Sequence, residues 1–191
     1  MLAKKNSTIL SVIGSGNQAL IQTLCALKVR DITEIRVFSP NKNHRKKFVE
    51  TLKNKTDIHI INCDNSTDAI VNTDIIITAT TSTIPVINSD YINNGTHIVW
   101  VGNKHKDSSE IGDDVILKSN KIFTDSINQL NSYKNSHKLE NFTPKKIIYE
   151  LSDLIAGHAM GRENDNEITI FASVGLSGTE VMLANYILSK C

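Results

Sequence analysis

The hexapeptide GSGNQA at residues 14–19 has the spacing G-x-G-x-x-A, which can serve phosphate binding. It follows a short, β-branched apolar run at residues 8–13 and opens a segment of helical periodicity. In such a turn Gly14 permits the tight bend, Gly16 lets the backbone approach a pyrophosphate, and Ala19 lets helix and strand pack closely. Free N–H groups and the positive dipole end at the helix start favour phosphate. The pattern predicts a dinucleotide-binding turn, and the alternative is a purely structural glycine turn.

The end of the second predicted strand bears on which dinucleotide fits. An NAD site usually carries Asp or Glu there to accept hydrogen bonds from the ribose 2′-hydroxyl. This sequence has Ser39, then the cations Lys42 and Arg45 with basic neighbours, and no acidic residue before Glu50. A hydroxyl followed by cations suits a 2′-phosphate, so NADP(H) is favoured and NAD(H) is the alternative. The basic run is otherwise explained as the solvated face of a helix.

Strands and helices alternate along the chain and must position this turn. Strand patterns occur at 8–13, 35–38, 58–61, 74–79, 97–101, 121–124 and 168–171, and helical patterns at 17–29, 42–52, 67–71 and 178–190. The fourth strand is apolar on consecutive residues, which is typical of a parallel strand covered on both faces. The alternation predicts an α/β fold, a Rossmann-type doubly wound, mostly parallel sheet with helices on both faces.

Two segments complete this outline. The closing helix is predicted to be amphipathic, with Val181, Leu183, Ala184 and Ile187 as its apolar residues. The polar stretch at 128–146 is predicted to be a long loop.

Composition excludes several classes of protein. The 191 residues fit one domain, and the formal net charge of +1 lacks the basic footprint of a nucleic-acid binder. No apolar run is long enough to span a bilayer, so no membrane partner is expected. The basic N-terminus lacks a signal-peptide core and cleavage site, so a cytoplasmic protein is expected.

Cysteine and histidine patterns give no metal or redox site. Cys25, Cys63 and Cys191 are far apart and odd in number, which predicts two core thiols and a free terminal one. The six histidines show no metal-ligand spacing, so no metal is expected.

Several segments in order along the chain resemble one family. They are GSGNQA, TATTSTIPVI, NNGTHIVWVG, a glutamate at Glu110, IFTDS, ELSDLIAGHAMGR and ITIFASVGLSGTE. Together they resemble the ornithine cyclodeaminase/mu-crystallin family over almost the entire chain. The resemblance implies a Rossmann domain that binds NAD(P)(H) and acts on imines or amino acids. Members include ornithine cyclodeaminases, ketimine reductases and alanine dehydrogenases, so the implied activity is that of an oxidoreductase or an ammonia-lyase.

The resemblance also implies where a cofactor would lie. Beside Gly14 and Gly16, it places Asn17 and Gln18 at the pyrophosphate and Ser39 at the adenosine ribose. Thr80, Thr81 and Ser82 would lie over the cofactor, and Trp100, Val101 and Gly102 on the nicotinamide side. Ser173 and Val174 would close the nicotinamide pocket, with Val174 toward the substrate. These positions agree with the rule that ligands of open α/β sheets bind outside the carboxyl ends of the strands.

Departures from the family leave the catalytic residues unknown. Lys104 occupies the position of the cyclodeaminases' catalytic Asp, so the acid/base group of ring closure is absent, although a cation there could favour an anionic substrate. Pro40 stands where the family often has Arg, which weakens the NADP preference. The loop of His105 to Asp107 could donate a proton to an imine, and a solvated loop is the alternative.

The family's N-terminal domain has no counterpart in this sequence. In the family, the stretch resembling LAKKNSTILSVIGSG follows a domain that supplies a substrate-binding Arg and Lys and the dimer sheet, whereas here it begins at Met1. Residues 1–191 are therefore expected to be a single, truncated NAD(P)-binding Rossmann domain, monomeric or weakly associating. Three origins stay open: a natural truncation, half of a split gene with a separately encoded N-terminal domain as partner, or a start assigned at an internal Met. Two functions stay open: an oxidoreductase domain, inactive alone, or a non-catalytic nucleotide-binding remnant or regulatory module.

Overall fold

An eight-stranded parallel sheet forms the centre of the molecule. The computed structural model describes residues 1–132, 136–143 and 145–190. The strands are β1 (Ile9–Ile13), β2 (Glu34–Phe38), β3 (His59–Asn62), β4 (Ile75–Thr78), β5 (His97–Trp100), the short antiparallel pair β6 (Lys104–His105) and β7 (Ser108–Ser109), β8 (Lys121–Thr124), β9 (Ile148–Glu150) and β10 (Thr169–Ala172).

Helices flank the sheet. They are α1 (Asn17–Leu27), α2 (Lys42–Lys53), α3 (Ser66–Ile70), α4 (Asp113–Lys118), α5 (Ile127–Asn131), α6 (Leu151–Ala156) and α7 (Ser177–Leu188), with 3₁₀ helices at Ser89–Tyr91 and Lys138–Phe142. None of the helices in the described ranges is both long and apolar enough to cross a membrane.

The strand order creates a switch point in the sheet. The order is β3-β2-β1-β4-β5-β10-β8-β9, so the chain moves outward from β1 to β3 and then returns to lay β4 against β1. The turns after β1 and β4 consequently leave in opposite directions and open a crevice at the carboxyl edge, where ligands of such sheets bind. The predicted α/β Rossmann-type fold is confirmed.

Hydrophobic clusters cover both faces of the sheet. On β4, Ile75 and Ile77 pack into one cluster and Ile76 into the other, because successive side chains of a strand point to opposite faces. All four residues of this strand are buried, as the consecutive apolar run predicted. Helix α2 buries Phe48 and Leu52 against the sheet, and it is capped by Asn41, whose side chain accepts a hydrogen bond of 3.0 Å from the His44 N–H.

The prediction of a long loop at 128–146 is wrong for most of the residues of this stretch that the structure describes. It contains the end of α5 and a 3₁₀ helix in which Leu139 and Phe142 are buried. A reciprocal pair of hydrogen bonds between His137 and Glu140 caps that helix. Both apolar residues pack into the main hydrophobic cluster and so attach this polar segment to the core. Residues 133–135 and 144 of this stretch lie outside the described residues.

The predicted closing helix forms, but its apolar residues are exposed. In helix α7, Val181, Leu183 and Ile187 are 68%, 59% and 53% exposed, and the helix buries no residue. Its apolar residues contribute nothing to the core of the described chain.

Cys25 is exposed on α1 rather than a core thiol, Cys63 is buried as predicted, and Cys191 lies outside the described residues.

Candidate functional site

Two adjoining hollows occupy the carboxyl edge of the sheet. The first has a volume of about 610 Å³ and lies between the glycine turn after β1, the end of β2 and the segment after β4. The second, about 700 Å³, extends toward the end of β5. Gly16, Thr80 and Thr81 line both, so the hollows form one continuous crevice across the switch point.

The structure gathers most of the predicted site residues around this crevice. Gly14, Gly16, Ser39, Thr80, Thr81 and Ser82 line the first hollow, and Asn17, Gln18, Val101 and Gly102 line the second together with Gly16, Thr80 and Thr81. Their contacts with a cofactor stay predictions.

Gly14 and Gly16 have different structural roles. Gly14 adopts φ +126°, and a Cβ there would lie 2.5 Å from the Ala79 carbonyl oxygen, so only glycine lets β1 turn against the end of β4. Gly16 has an ordinary φ of −90°, and a Cβ there would meet no heavy atom within 4 Å. The side of Gly16 therefore faces open space in the crevice.

The start of α1 fits the phosphates of a dinucleotide. Gly16 is the N-cap residue of this 11-residue helix and makes no side-chain cap hydrogen bond. The first N–H groups of a helix have no partner within the helix, and here they adjoin an open crevice. Backbone donors with the positive end of the helix dipole are suited to a pyrophosphate.

The end of β2 is held by a network around Ser39. Its Oγ accepts a hydrogen bond of 3.0 Å from Ser15 Oγ, and its carbonyl oxygen accepts one of 2.8 Å from Arg45 Nη1. Arg45 also donates to the side chains of Asn62 and Asp64, the latter over 3.1 Å. Ser39 thus lies beside the crevice in a fixed orientation.

The expectation that Arg45 is available for a 2′-phosphate is wrong. Its side chain is buried, only 4% exposed, and its guanidinium is committed to Ser39, Asn62 and Asp64. Two other basic side chains of α2, His44 and Lys47, line a shallow hollow of about 270 Å³ beside Ser15, Gly16 and Asn17. The helical spacing of α2 turns these side chains outward and Arg45 inward.

The side chain of Trp100 lines neither hollow, and the predicted place of this residue on the nicotinamide side stays a prediction. Its indole is fully buried in the core, and its Nε1 donates a hydrogen bond of 3.1 Å to the Asn103 carbonyl oxygen. Trp100 is the last residue of β5 and points into the core, whereas Val101 and Gly102, which follow the strand, line the second hollow. The side chain of Trp100 is therefore not part of the crevice wall.

Ser173 and Val174 are positioned by Asp125. The Asp125 carboxylate accepts hydrogen bonds from Ser173 Oγ at 3.1 Å, from the Val174 N–H at 2.7 Å and from the Gly175 N–H at 2.8 Å. The Ser173 N–H donates to the Trp100 carbonyl oxygen over 3.1 Å. The two residues follow β10, beside the end of β5, and do not line either described hollow. Sequence reasoning assigned no role to Asp125, which the IFTDS segment contains.

Glu110 is the second carboxylate that sequence reasoning missed. It is fully buried, and its carboxylate accepts hydrogen bonds of 2.7 Å from the backbone N–H and the hydroxyl of Thr80 and from the Gly102 N–H. It therefore joins the segments that follow β4 and β5. Its place among the segments that resemble the family was the available signal.

Lys104 does not face the crevice. Its side chain is buried, and its Nζ donates hydrogen bonds of 2.6 and 2.7 Å to the carbonyl oxygens of Val101 and Gly102. Burial lowers the pKa of this ammonium group to about 8, and the carboxylates of Glu110 and Asp125 oppose that shift. The hypothesis that Lys104 attracts an anionic substrate is therefore not supported by its position.

His105 follows Lys104 and lines the second hollow. Among the described residues that line this hollow, it alone has a titratable side chain. Its backbone pairs with that of His137, a buried residue whose ring lies 5.5 Å from the Trp100 ring. Burial lowers the pKa of His137 to about 4.

The strand order, the glycine turn and the crevice at the β1/β4 switch point define an α/β protein of the Rossmann type. Within that class the chain belongs to the ornithine cyclodeaminase/mu-crystallin family, whose model matches residues 1–191.

Individual relatives agree with this assignment. The chain is 30% identical over 193 residues to a Δ1-pyrroline-2-carboxylate reductase of Bacillus cereus, covering 99% of this chain and 59% of that protein. A Thermococcus litoralis Δ1-pyrroline-2-carboxylate reductase, solved with NADH and L-proline, superimposes with a TM-score of 0.88 at 34% identity, over 96% of this chain and 58% of that one. An archaeal alanine dehydrogenase dimer with bound NAD gives 0.86 at 30% identity, over 99% and 60%. The chain thus spans less than two thirds of the length of these relatives.

Proposed function

We propose that residues 1–191 form one domain that binds a nicotinamide dinucleotide in the crevice at the carboxyl edge of the sheet. The observation that carries the proposal is the glycine turn. Gly14 brings the chain against β4, and Gly16 leaves the start of α1 open to a pyrophosphate. The NADH and NAD bound by two relatives of similar fold support the same ligand class.

The crevice suggests a division of roles along the cofactor. The N–H groups of Asn17 and Gln18 would hold the pyrophosphate, and Ser39 with Pro40 would contact the adenosine ribose. Thr80, Val101 and Gly102 would hold the nicotinamide end, which supplies or accepts a hydride. The residues of this chain would bind and orient the cofactor.

The proposed cofactor is NADP(H) in preference to NAD(H). The absence of a carboxylate at Ser39 removes the usual repulsion of a 2′-phosphate. Lys47 supplies a cation beside the glycine turn and His44 a neighbouring imidazole, whereas Arg45 is paired with Asp64. The preference therefore rests on His44 and Lys47.

The proposed reaction class is hydride transfer to or from an imine or amino acid, together with a further protein segment. A substrate carboxylate needs a cationic partner, and the described residues that line the second hollow include no lysine or arginine. The exposed apolar residues of α7 offer a surface on which such a segment could pack. The segment would supply the missing cation and close the hollow.

A second candidate function is non-catalytic dinucleotide binding. Lys104 favours it, because this side chain is tied to backbone carbonyls and leaves no carboxylate at the position of the family's acid/base group. Oxidation of NADPH with pyrroline or piperideine carboxylates separates the two functions. We expect no turnover by the chain alone and turnover once a separately expressed segment matching the rest of the relatives is added; no turnover in either case would favour the non-catalytic module.

Cofactor binding itself is tested with Gly16→Val. NADPH should raise the midpoint of thermal unfolding of the parent chain, because a ligand that binds only the folded state stabilises it. Since a side chain at Gly16 meets only open space, the variant should fold normally and lose this shift. If neither NADPH nor NADH at millimolar concentration moves the midpoint of the parent chain, the proposal is wrong.

A further inference from the structure

The buried carboxylate of Glu110 connects two segments that line the second hollow, one after β4 and one after β5. Glu110 is 0% exposed and lines neither hollow, whereas its partners Thr80 and Gly102 line the second hollow. One carboxylate oxygen accepts from the Thr80 N–H and hydroxyl, and the other accepts from the Gly102 N–H, each over 2.7 Å. The carboxylate thus fixes the distance between the ends of β4 and β5 without touching a ligand.

The packing around Gly102 shows how close this junction is. A Cβ on Gly102 would lie 2.2 Å from the Thr80 carbonyl oxygen and 2.3 Å from a Glu110 carboxylate oxygen. On the other side of the same turn, the Lys104 ammonium group binds the Gly102 carbonyl oxygen. The Glu110 carboxylate therefore binds the N–H of Gly102, and the Lys104 ammonium group binds the C=O of the same residue.

Glu110 also fixes the polarity of the Thr80 hydroxyl. That hydroxyl donates its proton to Glu110 and accepts a hydrogen bond of 3.1 Å from the Ser82 N–H. A hydroxyl has one proton and two lone pairs, so a single acceptor position is left. A ligand group at Thr80 must then be a hydrogen-bond donor, such as a carboxamide NH₂, and not a phosphate oxygen.

We propose that Glu110 is a positioning residue for the nicotinamide half of the cofactor, acting through Thr80 and Gly102. The inference rests on the proposed dinucleotide site. It goes beyond that proposal because it explains how Glu110, by orienting the Thr80 hydroxyl, would select the carboxamide-bearing half of the cofactor. The adenosine and pyrophosphate half, built from the glycine turn and Ser39, is independent of Glu110.

The test compares two ligands that differ only in the nicotinamide. Affinities of NADPH and of 2′-phospho-ADP-ribose are measured by calorimetry for the parent chain and for Glu110→Gln. The amide keeps the shape but offers one acceptor oxygen and places an NH₂ against an N–H donor. We expect NADPH affinity to fall about tenfold, with affinity for 2′-phospho-ADP-ribose unchanged within about twofold. Glu50→Gln, the same change at an exposed position on α2, should alter neither affinity.

A second pair of variants keeps the test decisive if Glu110→Gln does not fold. Thr80→Val removes the oriented hydroxyl and should reproduce the selective loss of NADPH affinity, and Thr80→Ser should restore it. Equal losses for both ligands, or no loss for either, would reduce Glu110 to a structural residue and overturn the inference. If the parent chain binds both ligands equally well, the nicotinamide contributes nothing and the inference fails while the dinucleotide half-site stands. If the parent binds neither ligand, the proposed function fails and the inference with it.

Discussion

The two halves of the crevice are built by different means. The half around β1 and β2 is shaped by backbone conformation, with Gly14 at a positive φ and Gly16 open to the crevice. The half around β4 and β5 is held by two buried charged residues: Glu110 binds backbone groups that follow both strands, and Lys104 binds carbonyl oxygens that follow β5. A local motif specifies the first half, whereas the second depends on Glu110, whose partner Thr80 lies 30 residues away in the sequence.

Gly14→Ala should have the largest effect on the backbone-defined half. The new Cβ would lie 2.5 Å from the Ala79 carbonyl oxygen, and φ +126° is unfavourable for alanine. The free energy of unfolding should fall by about 3–4 kcal/mol, measured by urea denaturation. The matched control is Gly16→Ala, which should unfold at the same urea concentration as the parent. Similar destabilisation of both variants would contradict the distinct roles of the two glycines.

Raising the pH should act on the charge-defined half. Burial lowers the pKa of Lys104 to about 8 from its ordinary 10.5, so between these values the unfolded chain binds more protons than the folded one. Because of this group, the free energy of unfolding rises between about pH 8 and pH 10.5. Below pH 8 the buried ammonium group lowers the free energy of unfolding by up to about 3 kcal/mol.

Lys104→Met checks this contribution. The difference in stability between the variant and the parent should shift in favour of the parent as the pH rises through this window. Lys118→Met serves as control, because Lys118 also donates to two backbone carbonyls but is exposed. An identical pH dependence of the parent and Lys104→Met would contradict the buried position of this ammonium group.

The same contrast explains what could be predicted from the sequence. The glycine spacing, the apolar run of β4 and the helical spacing of Phe48 and Leu52 are local patterns, and the structure confirms the elements they predicted. Glu110 and Asp125 gave no local signal, because their partners lie 8 to 50 residues away. Their roles depend on which strand ends become neighbours in the sheet.

The features that could not be read from the sequence share that cause. Trp100 and Val101 are neighbours in sequence, and only the direction of each side chain decides which one reaches the crevice. Helix α7 carries enough apolar residues for a core helix, yet nothing in the described chain packs over them. Arg45 lies in a basic run, but Asn62 and Asp64 turn it into a structural residue.

Cofactor choice tests the backbone-defined half at its adenosine end. The parent chain should bind NADPH more tightly than NADH, because no carboxylate stands at Ser39. Ser39→Asp should reverse that order, with about a tenfold loss of NADPH affinity, since the carboxylate repels a 2′-phosphate and accepts from a 2′-hydroxyl. Fluorescence titration with both cofactors measures the change, and Ser39→Asn, which adds an amide of similar size without charge, is the control. Equal affinities of the parent chain for the two cofactors would refute the predicted preference.

The smallest expected effect concerns the cation that would contact the 2′-phosphate. Lys47 lines the shallow hollow beside Gly16, whereas Lys46, its neighbour on α2, is exposed but does not line it. A solvent-exposed cation near a phosphate contributes little, so Lys47→Met should lower NADPH affinity by about threefold and leave NADH affinity unchanged. Raising the salt concentration should shrink that difference, because exposed charges are screened. Lys46→Met should change neither affinity at low salt. Equal effects of the two substitutions would mean that α2 attracts the cofactor only through its overall charge, and the NADP(H) preference would then have no specific basis in this helix.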